Sequence, residues 1–253
     1  MSAESVVIPK ATMKRLAADV RDIYKNPLHS EGIYYHHDES DLLTGYALLI
    51  GPEDTPYSGG YYFFKISYPT NYPHSPPKFV FHSNDGVMRM HPNLYKCGKV
   101  CLSILNTWHG DQWDGCQTIG SVLMTIRHIL TNEPLRHEPG LDERHPDFYK
   151  YTQLVYYHNI KVAMCDVLDQ TFIKRTFPTL YEDAKRDFVD NYEQKVAILK
   201  KAEESLKEYM RSHHSISTFG TENIYRIRPV SLNYETLHTR FEKIRNELQD
   251  SNS

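Results

Sequence analysis

Four short runs of aromatic and β-branched residues between positions 32 and 82 constrain the fold of this chain more than any other feature. The runs are residues 33–35, 46–50, 61–66 and 78–81. Turn residues separate them, with Ser58-Gly59-Gly60 before the third run and Pro76-Pro77 before the fourth. Short strands with turn residues between them are typical of hairpin connections, so the pattern predicts a four-stranded antiparallel β-meander.

Helical periodicity appears on both sides of this meander. Apolar residues recur at helical spacing over residues 11–25, where Asn26-Pro27 ends the pattern, and again over 117–130. Residues 147–170 predict one or two further helices. An N-terminal helix, a compact antiparallel sheet and later helices together predict an α+β fold.

The last third of the sequence predicts a helical extension. Thr179 and Glu182 have the spacing of a capping box, and the apolar pattern from Tyr181 to Met210 predicts one long amphipathic helix. A polar stretch at 211–217 ends it, and the spacing from Tyr234 to Leu248 predicts a final helix that packs back on the protein.

Composition excludes several classes of function. A chain of 253 residues with 40% hydrophobic residues has enough apolar side chains for a packed interior, and its net charge of −3 offers no basic surface for nucleic acid. No run reaches the roughly 18 apolar residues that a membrane span needs, and the first residues lack a signal-peptide pattern. The chain has four cysteines, too few for a disulfide framework at this length, which favours a reducing compartment. We therefore expect a cytoplasmic or nuclear protein with no membrane or nucleic-acid partner.

The stretch from His91 to Leu105 carries the candidate chemistry. A His-Pro-Asn turn precedes Cys101, which lies in an otherwise apolar run. A cysteine in such a run is often a small core residue, but an amide donor at Asn93 and a thiol on one loop are typical of acyl transfer. His91 is followed by a proline turn, whose fixed geometry does not ensure that the imidazole could reach the Cys101 thiol and act as its base. A thiol that exchanges with another thioester needs access and some thiolate more than a dedicated imidazole.

These residues resemble the catalytic core of the ubiquitin-conjugating enzymes. The resemblance rests on three blocks in the family's order and spacing: His-Pro-Asn with the Gly-x-Val-Cys-Leu-x-Ile-Leu segment, the Gly-Pro-Glu-Asp-Thr-Pro-Tyr-Ser-Gly-Gly connection at 51–60, and the proline-rich loop at 68–79. Thr107-Trp108 and the Glu-Pro-Gly at 138–140 are similar to the class Z (Use1-type) branch. The stretch 106–116 also resembles that branch through an insertion before Trp113.

The resemblance implies a cycle and a set of roles. Cys101 would accept ubiquitin or a related modifier as a thioester from an activating enzyme and transfer it to a substrate lysine, usually with a ligase. No cofactor is implied in this chain, because the activating enzyme uses the ATP. Asn93 would stabilise the oxyanion or support the loop, and Glu138, then His137, are candidates to activate the lysine. The remaining implied roles are structural for His91, Pro92 and Trp113, and partner-binding for Lys14, Arg15, His74 and Asp114.

The resemblance also implies a domain division. We predict a flexible N-terminus at 1–9, a catalytic core of the ubiquitin-conjugating fold at 10–170, a helical extension packed on that core at 171–248, and a disordered tail at 249–253. His74, where the family commonly has a bulky apolar residue, and Asp114-Gly115, where it often has Ser-Pro, are departures on the ligase-facing side.

Three alternatives stay open on the sequence alone. The chain could be a catalytically silent adaptor that binds ubiquitin or a ligase, although it has no chemical need for Cys101 in that role. Cys97, Cys101 and Cys116 could hold zinc, but they lack the usual paired spacing, so we expect no metal. Cys97 could also form a disulfide with Cys101 under oxidation and block charging, and otherwise it would be an exposed loop thiol.

Overall fold

A four-stranded antiparallel sheet lies at the centre of the protein. The computed structural model describes residues 7–213 and 218–250. The strands lie in the order β1-β2-β3-β4, so each pairs with its neighbour in the chain, as the predicted meander requires. Their bounds are β1 Ile33–His37, β2 Thr44–Ile50, β3 Tyr61–Ser67 and β4 Lys78–Phe81.

Both faces of the sheet are covered. Four consecutive residues of β3, from Tyr61 to Phe64, are buried, although alternate side chains of a strand point to opposite faces. On one face the Tyr61 hydroxyl donates to Asp187 at 2.8 Å. On the other face the Tyr62 hydroxyl donates to Asn159 at 2.6 Å. The two helices that supply these acceptors therefore lie on opposite sides of the strand.

The predicted helices that flank the sheet are present. Helix α1 spans Lys10–Lys25 and α2 spans Ile119–Ile129. Thr118 caps α2 by a reciprocal pair of hydrogen bonds with Ser121. Helix α3, Phe148–Ile160, continues through a π-helical stretch at Lys161–Asp166 into the short α4, Val167–Asp169. One nearly continuous helical rod therefore fills residues 148–169.

The extension differs from its prediction in two details. It contains α5 Thr171–Thr176, α6 Pro178–Asp190, α7 Tyr192–Ser212 and α8 Tyr234–Asp250. The expectation of one long helix from Tyr181 to Met210 is wrong, because the chain breaks at Asn191 between α6 and α7. The predicted Thr179 capping box is also wrong. Pro178, whose fixed φ suits the first helical position, begins α6, and this places Thr179 inside the first turn.

A buried ion pair joins the extension to the sheet. The Lys195 side chain is only 4% exposed, and its Nζ lies 2.6 Å from Asp187 and 3.1 Å from the carbonyl of Gly59, to which it donates. The same ammonium lies 4.8 Å from the ring centroid of Tyr61. Helices α6 and α7 thus contact the β2–β3 turn through charged groups shielded from water, an arrangement that apolar periodicity cannot reveal.

The structure describes only part of the two chain ends, for which a flexible N-terminus and a disordered tail were predicted. Helix α8 continues to Asp250, which is inside the stretch predicted as a tail. Residues 1–6 and 251–253, and with them most of the predicted flexible N-terminus and tail, lie outside the described residues. Within the described parts of the chain, none of the helices combines the length and apolarity that a bilayer span requires.

Candidate active site

The His-Pro-Asn turn is organised by a buried imidazole. His91 is fully buried, and its Nδ1 accepts a hydrogen bond from the backbone N–H of Asn93 at 3.0 Å. The backbone N–H of Leu94 closes the turn on the carbonyl of His91 at 2.9 Å. Burial, and then the nearby His137, hold the pKa of His91 well below its usual value. A neutral imidazole whose Nδ1 accepts a backbone hydrogen bond fits the structural role predicted for His91.

Two hydrogen bonds join Asn93 to Cys101. The Asn93 side-chain amide donates to the carbonyl of Cys101 at 2.6 Å, and the backbone N–H of Cys101 donates to the carbonyl of Asn93 at 2.9 Å. Asn93 is 9% exposed, and its buried Oδ1 has no hydrogen-bond partner among the described residues. In this arrangement the Asn93 amide supports the loop that carries the cysteine.

Thr107 clamps the same loop from the other side. Its hydroxyl donates to the carbonyl of Val100 at 2.9 Å and accepts from the backbone N–H of Leu102 at 2.9 Å. These bonds flank Cys101 directly in the chain. This role of Thr107 was not predicted from the sequence, where its position after the Ser-Ile-Leu turn was the only signal.

The Cys101 thiol lies beside Tyr95. Cys101 is 1% exposed. Burial raises the pKa of Tyr95, and the nearby Cys101 thiol raises that pKa further. The guanidinium carbon of Arg89 lies 3.5 Å from the centroid of the Tyr95 ring, which is a close cation–π contact. Neither Tyr95 nor Arg89 could be predicted as a site residue from the sequence, because a cation–π contact leaves no trace in residue spacing.

The two candidate lysine-activating residues have different surroundings. The ring of His137 lies 4.9 Å from that of His91, and its Nε2 lies 3.2 Å from the Thr131 hydroxyl. Burial lowers the pKa of His137. The Glu138 carboxylate instead accepts a hydrogen bond from the hydroxyl of Tyr225, a residue of the extension. His137 therefore packs behind the His-Pro-Asn turn, whereas Glu138 is held from outside the core.

Arg15 has structural contacts that its sequence position did not indicate. Its guanidinium binds both oxygens of Asp19 at 3.0 Å and donates to the carbonyls of Gly115 and Gln117. The side chain is one-quarter exposed. Lys14, next to it on α1, is exposed. Of the two residues predicted to bind a partner on α1, Arg15 therefore uses its charge in contacts within the protein, whereas the Lys14 side chain is exposed to solvent.

The remaining predicted partner-binding residues lie on two loops that touch each other. The indole N–H of Trp113 donates to the carbonyl of Pro73 at 2.7 Å. His74 and Asp114 are the residues that follow each of these two, and both are exposed. The Trp113 contact therefore gives the indole a structural role and joins the two loops into one surface next to α1.

The other three cysteines differ from Cys101 in their surroundings. Cys97 and Cys116 are exposed free thiols, and Cys165 is a buried one. Burial raises the pKa of Cys165 to about 12, which keeps it protonated at neutral pH. Across residues 7–213 and 218–250, no three His, Cys, Asp or Glu side chains form a group that could hold a metal ion. The geometry gives no support to the zinc alternative.

Comparisons with known proteins agree with the sequence resemblance. Residues 15–164 match the family model described as ubiquitin-conjugating enzyme. Human ubiquitin-conjugating enzyme E2 Z is 40% identical over 158 residues, which cover 61% of this chain and 44% of the human protein. The putative ubiquitin-conjugating enzyme E2 39 of Arabidopsis thaliana is 39% identical over 140 residues, covering 53% of this chain and 43% of the plant protein. The match thus spans less than half the length of either relative.

A solved structure of human ubiquitin-conjugating enzyme E2 G1 matches 49% of this chain and 98% of its own, with 31% identity and a TM-score of 0.42. The likeness to E2 Z proteins confirms the predicted class Z resemblance. The family model covers more than half of the chain and includes the meander, the His-Pro-Asn turn and Cys101. This chain belongs to the ubiquitin-conjugating enzyme family and has its α+β fold.

Proposed function

We propose that this chain is an active conjugating enzyme that carries ubiquitin or a related modifier as a thioester on Cys101. The observation that supports this most is the pair of hydrogen bonds between Asn93 and Cys101, at 2.6 and 2.9 Å. An amide held within hydrogen-bond reach of the cysteine's own backbone is suited to a site where an acyl group is received and released.

The first step is a thioester exchange. The Cys101 thiolate attacks the thioester carbonyl carbon presented by an activating enzyme, a new carbon–sulfur bond forms, and the activating enzyme's sulfur leaves as a thiolate. The step needs no redox partner and no metal, since one thioester replaces another. ATP is consumed by the activating enzyme before this step, so this chain uses no cofactor of its own.

The second step is attack by a lysine amine. Free lysine has a pKa of about 10.4, and bringing it near 7 requires about 4 to 5 kcal/mol of differential stabilisation. The Glu138 carboxylate accepts a proton from the attacking amine, the amide bond forms, and Cys101 leaves as a thiolate. We place Glu138 before His137 in this role because His137 is packed against His91 and hydrogen-bonded with Thr131.

The proposed partners follow from the exposed residues. Lys14 on α1 is the charged group that faces the activating enzyme, while His74 and Asp114 lie on the joined loops that face a ligase. The substrate partner is a protein lysine. We propose that this cycle takes place in the cytoplasm or the nucleus, where free thiols such as Cys101 stay reduced.

A charging assay tests the proposal. The protein is incubated with ATP, ubiquitin and each of the two ubiquitin-activating enzymes, and the products are separated without reductant. We expect a reductant-sensitive adduct in the parent and in Cys97→Ala and Cys116→Ala, which remove exposed thiols, but not in Cys101→Ala. An adduct that persists in Cys101→Ala would overturn the assignment of the nucleophile.

The burial of Cys101 favours one alternative, a silent adaptor that binds ubiquitin or a ligase without chemistry. Cys101 is only 1% exposed, whereas thioester exchange requires access to the sulfur. Folded protein that forms no adduct with either activating enzyme but binds ubiquitin in a titration would support the adaptor.

A further inference from the structure

A segment of the extension lies against the candidate active site. Residues 219–230 lie between α7 and α8, and Phe219 and Val230 exchange two backbone hydrogen bonds at 2.8 Å that close the segment at its base. The Asp147 carboxylate of the core accepts the backbone N–H groups of Asn223 and Ile224 at 3.1 and 3.3 Å. The segment is thereby fixed to the core just before its tip.

The tip places Tyr225 between several core residues. Tyr225 has a φ of +56°, in the left-handed region that non-glycine residues seldom adopt. Such a conformation persists where surrounding contacts stabilise it. Its hydroxyl donates to Glu138, and its ring lies 5.6 Å from that of Tyr151. Burial raises the pKa of Tyr225, so the hydroxyl keeps its proton and stays a donor.

Arg89 connects this tyrosine to the nucleophile. Its guanidinium carbon lies 4.4 Å from the ring centroid of Tyr225 and 3.5 Å from that of Tyr95. The same guanidinium donates to the carbonyl of Pro92 in the His-Pro-Asn turn. Asn93, the next residue of that turn, is hydrogen-bonded to Cys101. A continuous set of contacts therefore runs from Glu138 through Tyr225 and Arg89 to the loop that carries Cys101.

We propose that Tyr225 is a positioning residue for lysine transfer: the extension supplies it to hold the Glu138 carboxylate and to keep Arg89 packed against Tyr95 beside Cys101. This role rests on the proposed function, because it acts on the second step of that cycle. Two oxygens belong to the Glu138 carboxylate, and the hydroxyl engages one of them, which leaves the other to accept the proton of the amine. The core and the extension then form one active site.

Because the Tyr225 hydroxyl makes the contact with Glu138 and the ring makes the contact with Arg89, removing the hydroxyl alone tests the first contact. Tyr225→Phe removes the hydroxyl that reaches Glu138 and leaves the ring over Arg89. A matched control exists at Tyr46, whose hydroxyl donates to Asp38 at 2.9 Å on the β1–β2 hairpin. Tyr46→Phe also removes a tyrosine–carboxylate hydrogen bond, but it is not one of the contacts that link Glu138 to Cys101.

The test is single-turnover discharge of the full chain, charged with ubiquitin, onto free lysine over a range of lysine concentrations. The rate is measured on the charged fraction, so that differences in charging do not enter. We expect Tyr225→Phe to lower the maximal rate by about tenfold to a hundredfold, the range of one hydrogen bond to a charged group, and to change the half-saturating lysine concentration by less than about twofold. Tyr46→Phe should discharge like the parent.

A double-mutant cycle distinguishes positioning of the Glu138 carboxylate by Tyr225 from a nonspecific loss of structure around the site. In a Glu138→Ala background, Tyr225→Phe should slow discharge no further, since the hydroxyl has lost its target. Equal rates for Tyr225→Phe and the parent, or losses that multiply in the double variant, would overturn the role of Tyr225 alone. A parent that cannot be charged at all would overturn the proposed function together with this role.

Discussion

The side-chain amide of Asn93 donates to the main-chain carbonyl of Cys101 at 2.6 Å, so the residue predicted to bind an oxyanion holds the loop of the proposed nucleophile. Asn93→Ala leaves that carbonyl without its donor, and we expect it to lower the free energy of unfolding by about 1 to 3 kcal/mol and to slow lysine discharge at least about tenfold. Urea denaturation and single-turnover discharge measure the two effects. Asn71→Ala, which breaks an exposed bond to Ser75, is the control. Unchanged stability with slow discharge would restrict Asn93 to the oxyanion.

Arg15 and Lys14 are neighbours on α1 with different contacts in the structure. Arg15→Ala removes the bonds to Asp19 and to the carbonyls of Gly115 and Gln117, so we expect unfolding free energy to fall by about 1 to 2 kcal/mol. Lys14→Ala, at an exposed position, should change it by less than about 0.5 kcal/mol. Urea denaturation tests this difference. Lys14→Ala should instead slow charging by the activating enzyme, and equal stability losses in the two variants would contradict the assignment.

Lys195 and Lys201 compare a buried ion pair with an exposed one. Lys195→Ala leaves Asp187 without its ammonium partner in a water-poor contact, and we expect a loss of about 3 kcal/mol. The Lys201 ammonium pairs with Asp54 at 3.0 Å where both side chains are largely exposed, so Lys201→Ala should stay within about 0.5 kcal/mol of the parent. Chemical denaturation monitored by far-UV circular dichroism distinguishes the two. Similar losses would show that the extension does not depend on the buried pair.

Buried histidines predict a loss of stability on acidification. Burial is the first cause that lowers the pKa of five histidines, His37, His82, His91, His137 and His158. Below about pH 6.5 the unfolded chain protonates these rings while the folded protein keeps them neutral, so the unfolded state binds more protons. The free energy of unfolding is therefore highest above that pH and falls as the pH drops toward the folded-state values, by up to about 1.4 kcal/mol per unit for each ring.

His91→Asn isolates one of these rings. Urea denaturation at several values between roughly pH 7.5 and 5.5 should show a shallower pH dependence in His91→Asn than in the parent, because one depressed pKa has been removed. The exposed His74 provides the control, and His74→Asn should follow the parent. An identical pH dependence in the parent and in His91→Asn would contradict a neutral His91 in the folded state.

Local patterns in the sequence were sufficient for the architecture. The strand from Lys78 to Phe81 and the helix that ends near Asn26 lie where hydrophobic periodicity and proline positions indicated. They could be predicted because the alternation of buried residues and the start and stop signals act over a few residues. The break at Asn191 was missed because apolar periodicity continues across it, from α6 into α7.

The candidate site was predictable only in part. Cys101 and Asn93 stand in one short stretch with a recognisable motif, so their proximity follows from the sequence. The contact between Tyr225 and Glu138 joins residues separated by 87 positions, and no local pattern encodes it. The contacts of Arg15 could not be predicted for the same reason, since its carbonyl partners lie 100 and 102 positions away.

Residue types and short-range spacing were enough to predict the family and the meander, and they make Cys101 the candidate nucleophile. The tertiary structure decided which polar groups meet: Asn93 turns to a backbone carbonyl, His137 packs behind the His-Pro-Asn turn, and Tyr225 reaches Glu138 from the extension. Hydrogen bonds and cation–π contacts act over a few ångströms in space between residues far apart in the chain. For Tyr225 and Glu138, only the packing of the extension on the core brings the two side chains within that range.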